Sequence, residues 1–112
     1  MTTVLENIKY RASNGEDFMF DFELRDDGWR VYITSQPRYR HRSASAHDTH
    51  RLGRAERPYI CWTDPINGLD DAFGVAALWA EATLVYIATG RFNAPRRLPR
   101  LHDLTGLTRL SR

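Results

Sequence analysis

The first third of the chain alternates between apolar and polar positions. Phe18, Phe20, Phe22 and Leu24 take every second place, with Met19, Asp21, Glu23 and Arg25 between them. A period of two is that of a strand with one face buried and the other in water. Trp29, Val31 and Ile33 alternate with Arg30, Tyr32 and Thr34 in the same way, and Ile8 and Tyr10 form a shorter inward pair upstream. Asn14-Gly15 and Asp26-Asp27-Gly28 separate these segments with residues that tolerate the positive φ of tight hairpin turns. The pattern predicts a three-stranded meander. A fourth strand is expected at Tyr59 to Trp62, bounded by Pro58 and Pro65, where Cys61 reads as a buried, inert thiol.

The pattern then changes. Residues 72–89 read AFGVAALWAEATLVYIAT, with one charge, Glu81, and two other polar side chains, Thr83 and Thr89. As a helix this run is apolar nearly all the way round, which calls for cover on two faces. Asn67 is placed to cap it, and Asp70 and Asp71 lie in the first turn, where the positive end of the helix dipole favours carboxylates. Gly90 is placed to end it in a left-handed conformation. On a helical wheel Leu69, Phe73, Ala77, Ala80, Leu84 and Ile87 form a stripe expected to pack on the sheet. Val75, Leu78, Trp79, Ala82, Val85 and Tyr86 form the opposite stripe, expected to be a homodimer interface, because a two-fold contact needs only one self-complementary patch. Two narrow seams, Asp70, Gly74 and Glu81 on one side and Ala72, Ala76 and Thr83 on the other, divide them. A membrane is disfavoured as the second cover, since Glu81 would sit in mid-bilayer.

The expected fold is therefore α+β: a four-stranded antiparallel sheet (β-β-β-long loop-β) packed on one long C-terminal helix, followed by a basic tail. Residues 1–92 make a single domain with residues 37–58 inserted as a loop before the fourth strand, and residues 93–112 make an arm. Leu98, Leu101, Leu104, Leu107 and Leu110 recur at a spacing of three, which an extended arm with three residues per turn would align. The order β-β-β-β-α is similar to that of the Whirly and Pur-type single-strand binders, in topology alone. No family motif is recognised in the residues themselves.

Composition refines this picture. With 42% hydrophobic and 27% charged residues, the chain reads as a soluble globular domain. One cysteine excludes an intrachain disulfide and fits a reducing, cytoplasmic setting. Glu6 and Lys9 interrupt the apolar residues near the N-terminus, so no secretory signal is expected. The net charge of +2 conceals segregation. Residues 37–57 hold six arginines against Asp48 and Glu56, and residues 91–112 hold six against Asp103. Residues 1–36 and 58–90 are both net acidic.

No enzyme signature, cofactor motif or metal pattern is found. His47 and His50 have the spacing of a helical ligand pair, but arginines crowd the same loop and no third ligand follows at a known spacing. Ser43 and Ser45 lie outside any nucleophile elbow. A pocket lined by Phe18, Phe20, Trp29 and Trp62 reads as ordinary aromatic core. The expected function is non-enzymatic binding of nucleic acid by a homodimer, through Arg38, Tyr39, Arg40, Arg42, Arg51 and Arg54 in the loop and Arg96, Arg97 and Arg100 in the arm. Guanidiniums suit phosphates and an interleaved aromatic suits bases. The alternative is an adaptor or inhibitor that sets the same arginines against an acidic protein partner.

Overall fold

The structure is a computed structural model that describes residues 3–93 of the 112. It contains strands β1 (Val4–Arg11), β2 (Asp17–Arg25), β3 (Gly28–Ser35), β4 (Arg51–Arg54) and β5 (Arg57–Ile60), then helix α1 (Leu69–Thr89). All pairings are antiparallel, in the order β1-β2-β3-β5-β4. The helix packs on one face of this sheet, giving the expected α+β architecture with one strand more than the sequence suggests. That strand, β4, lies within the 37–58 segment. Its sequence, Arg-Leu-Gly-Arg, shows no apolar alternation because it is an edge strand that puts little into the core.

The alternation in β1 to β3 is realised except at Leu24, which lies at the end of β2 next to the turn and is exposed. Phe18, Phe20 and Phe22 are wholly buried, and Ile8, Tyr10, Val31, Ile33 and Ile60 share their face. Cys61 is a correction: β5 ends at Ile60, and the thiol beyond it is exposed. The second hairpin turns at Asp26-Asp27, with Arg25 opposite Gly28. Gly28 has φ +116°, and a Cβ there would come within 2.7 Å of the Ile66 carbonyl oxygen. This close approach lets the Trp29 N–H donate to that oxygen at 2.8 Å, tying the segment after β5 to the start of β3.

Both sheet edges are irregular. In β1 three steps from Leu5 to Ile8 face two from Phe22 to Phe20, a bulge in which Asn7 takes φ +58° and donates its N–H to Asp21 Oδ1 at 2.9 Å. At the other edge β4 is four residues long, carries Arg51 and Arg54, and bends at Gly53 with φ +86°.

Helix α1 starts after Gly68, an extended residue without a side-chain cap, rather than at Asn67. It ends at Gly90 in the left-handed region, whose N–H reaches the Tyr86 carbonyl at 2.7 Å. The face turned to the sheet differs from the two stripes. Ala72, Ala76, Ala80 and Thr83 are completely buried, so the small-residue seam is part of the most buried line of the helix. Small side chains allow a close approach there, and larger ones flank it. Trp79 stands edge-on to Phe18 and Phe20 at 6.1 and 6.3 Å, and Phe73 edge-on to Phe22 at 4.9 Å. Val75, Trp79 and Tyr86, assigned by angle to a partner chain, are buried within the one chain at 0%, 3% and 5% exposure. Of that stripe, Leu78 and Ala82 are half-buried and Val85 is exposed. By length and composition the helix could cross a membrane, but its burial is that of a core helix.

On the other seam, the Glu81 carboxylate accepts hydrogen bonds from the Tyr10 hydroxyl (2.5 Å), the Ser13 hydroxyl (2.5 Å) and the Ser13 N–H (3.0 Å). The one charge of the apolar run therefore ties the helix to the β1–β2 turn.

Candidate nucleic-acid interface

Residues 36–50 fold back over the C-terminal half of α1, and the positions that hold them are largely the ones singled out in the sequence. The Trp79 indole N–H donates to the Thr49 carbonyl (3.0 Å) and the Tyr86 hydroxyl to the Ser43 carbonyl (2.6 Å). Arg42 donates from Nε to the Ile87 carbonyl (3.1 Å) and from Nη2 to the Ala88 carbonyl (2.9 Å). These belong to the last turn of α1, whose carbonyls lack helical partners and which carries no basic residue of its own. A loop arginine thus supplies the positive charge that favours the negative end of the helix dipole. Arg51 braces the loop from within, donating to Thr49 Oγ1 (2.8 Å) and the Ala44 carbonyl (2.8 Å).

Tyr39 is also committed to the fold. It is 9% exposed, packs edge-on to Tyr86 at 5.9 Å, lies under the Arg51 guanidinium at 5.2 Å and donates its hydroxyl to Gln36 Oε1 at 3.2 Å. Its ring is not offered for base stacking. The six loop residues therefore divide. Tyr39, Arg42 and Arg51 hold the loop to the helix, whereas Arg38, Arg40 and Arg54 are exposed and make no hydrogen bond or ion pair among the described residues.

Four of the arginines nevertheless converge. Arg38, Arg40, Arg42 and Arg51 line an open groove of about 780 Å³ between the end of β3 and the β4–β5 turn, with Glu56 as its one acidic residue. Arg42 also borders a second hollow of about 530 Å³, lined by His41, His47, His50 and Asp48. There the hydroxyls of Ser43 and Ser45 hold the Asp48 carboxyl below the usual carboxylate range. Among the described residues no three His, Cys, Asp or Glu side chains converge as a metal-binding set. Phe92 lines the same hollow, its ring stacked on His50 at 4.6 Å. The arm starts next to it; Arg96, Arg97 and Arg100, with the arm's leucines, lie outside the described residues.

The outward face of the sheet carries residues that charge counting overlooks. Arg57 lies 3.8 Å over the Tyr32 ring, Tyr32 meets Tyr59 edge-on at 5.8 Å, and Arg30 lies 4.1 Å over Tyr59. Glu23, an acidic residue on this outward face, receives Arg25 at 3.3 Å and Arg57 at 3.7 Å. Finding this ladder requires the Tyr32–Tyr59 register, which no local pattern reveals. Trp29 and Trp62 are not deep core beside Phe18 and Phe20; both are half-buried and line a cleft between β3 and the segment after β5. Comparison with protein-family models, curated proteins and solved structures returns no match for this chain. The similarity of element order to single-strand binders therefore carries no family assignment.

Proposed function

We propose that this protein is a non-enzymatic binder of nucleic acid that holds phosphates in the groove lined by Arg38, Arg40, Arg42 and Arg51. The observation that supports this reading is the convergence of four guanidiniums on one groove with a single carboxylate, two of them in fixed positions because the fold uses their other donors. Fixed cations lose less freedom on binding than free ones, and the exposed pair, Arg38 and Arg40, completes the lining. Arg54, exposed at the end of β4 and next in sequence to Ala55 of the groove lining, is counted as a further cation of this proposal.

Fluorescence anisotropy with single- and double-stranded oligonucleotides across a salt series tests this. Binding should weaken steeply with salt, and Arg38→Ala/Arg40→Ala/Arg54→Ala should flatten the log–log slope by about one per arginine. The absence of binding at low salt would overturn the reading. Retention on heparin without any oligonucleotide shift would favour an acidic protein partner instead.

Self-association belongs to the same proposal, on a smaller surface than the full stripe. Val85 is 44% exposed, with Leu78 and Ala82 half-buried on the same side of α1. Light scattering after size exclusion should show a dimer, and Val85→Lys a monomer with stability changed by no more than about 0.5 kcal/mol, the usual range for a surface change. A wild-type monomer at tens of micromolar would remove the dimer.

A further inference from the structure

The β3–β5 pairing is confined to Tyr32 and Tyr59. Beyond that pair the strands part, and residues 61–66 arch from β5 back to β3, where Ile66 is pinned against Gly28 and the Trp29 N–H. The gap is a cleft of about 270 Å³. Buried Val31, Ile60 and Ile66 line it, and so do half-buried Trp29, Tyr59 and Trp62. Two exposed carboxylates, Asp27 and Asp64, stand at the same cleft, with Arg30 beside Tyr59. Its volume lies just below the range of about 300–1,000 Å³ that suits drug-sized ligands, so it fits one ring system.

We infer that this cleft takes a single nucleobase of the bound strand, one that carries an exocyclic amino group: cytosine, adenine or guanine rather than thymine. This rests on the groove reading above and adds a base-selective pocket to it. The cleft opens directly beside the groove: Ile33 and Pro58 line the groove, and Val31 and Tyr59 of the same two strands line the cleft, so a strand held in one passes the other. On the outward sheet face Arg57 and Arg30 supply cations for neighbouring phosphates. The aromatic contact that Tyr39 cannot give is thus available from Trp29, Tyr59 and Trp62.

The choice of base follows from the rim. A carboxylate only accepts hydrogen bonds, so Asp27 and Asp64 favour the amino groups of cytosine, adenine and guanine. Thymine has no amino group; its single donor, N3–H, is flanked by two carbonyls that meet the carboxylate oxygens acceptor to acceptor. One well-formed pair of this kind discriminates by about 1–3 kcal/mol, which is about 5- to 150-fold in affinity.

The test uses the full chain with oligo(dC), oligo(dT) and an abasic oligonucleotide of equal length, read by anisotropy and tryptophan fluorescence. Oligo(dC) should bind at least about fivefold more tightly than oligo(dT) or the abasic strand. It alone should quench the accessible tryptophans Trp29 and Trp62, while buried Trp79 stays unaffected. Asp27→Asn/Asp64→Asn, at exposed positions with little risk to folding, should abolish the preference and leave abasic binding unchanged. Trp62→Ala should do the same and lose the quenching. Equal binding of all three strands, or an unchanged preference in the Asn variant, would overturn the pocket and leave the groove standing. No binding of any strand would overturn the groove reading and the pocket with it.

Discussion

Trp79→Glu is expected to leave little or no folded protein at 25 °C. Trp79 is 3% exposed, packs against Phe18 and Phe20 and donates its indole N–H to the Thr49 carbonyl. Deleting an aromatic side chain of this kind costs about 3–5 kcal/mol. Leaving an unpaired carboxylate there adds several kcal/mol, unless the group takes up a proton. A domain of this size holds about 5–15 kcal/mol in total, so the sum removes most or all of it. Trp79→Phe separates the two roles: the ring stays, the donor goes, and the Thr49 carbonyl is left short of a partner for about 1–3 kcal/mol. Far-UV circular dichroism and urea titration read both variants. A cooperatively folded Trp79→Glu monomer would show that this side chain faces outward, towards a partner.

The second large effect is expected at Arg42. Arg42→Ala removes two hydrogen bonds from a guanidinium to the terminal carbonyls of α1, each kind worth about 1.5–3 kcal/mol when a charge is involved. With about 4–8 °C lost per kcal/mol in a domain of this size, the fall in melting temperature is easily measured. Arg42→Lys should recover only part of it, because an ammonium is a point donor and cannot fork across two carbonyls as a planar guanidinium does. Arg38→Ala and Arg40→Ala, at exposed positions without partners among the described residues, should stay within about 0.5 kcal/mol of the wild type. Equal melting temperatures for Arg38→Ala and Arg42→Ala would show that the clasp contributes nothing. The contrast matters for binding experiments, since a lost signal in Arg42→Ala mixes an unlatched loop with a missing phosphate contact.

Much of the architecture can be read directly from residue order. The Phe18-Phe20-Phe22 alternation, the two turns and the helix closed by Gly90 all depend on neighbours within a few residues, where period and turn chemistry act. The features that escape such reading depend on distant residues. Strand β4 forms because β5 is beside it, although Arg51-Leu52-Gly53-Arg54 has no pattern of its own. The wheel divides α1 into two stripes but gives no weight to small residues, so Ala72, Ala76 and Thr83 read as a divider when their small size makes them part of the contact, and Val75, Trp79 and Tyr86 read as facing a partner when they are buried in the same chain. Among the arginines, charge counting cannot distinguish Arg42, whose acceptors lie 45 and 46 residues away, from Arg38, which has none among the described residues. Trp29 and Trp62 are visible in sequence as aromatics, but their shared cleft depends on where β3 and β5 part.

The irregular sheet edges have a consequence for how copies of this protein meet. A regular open edge would let one molecule continue the sheet of the next, the route by which β proteins polymerise into fibrils. Here the bulge at Asn7 breaks the ladder on one side, and on the other four residues with two guanidiniums and a bent glycine leave an incoming strand little to pair with. Strand addition is hindered at both edges, which leaves the outward side of α1 for the proposed dimer, a two-fold contact that would close on itself and stop.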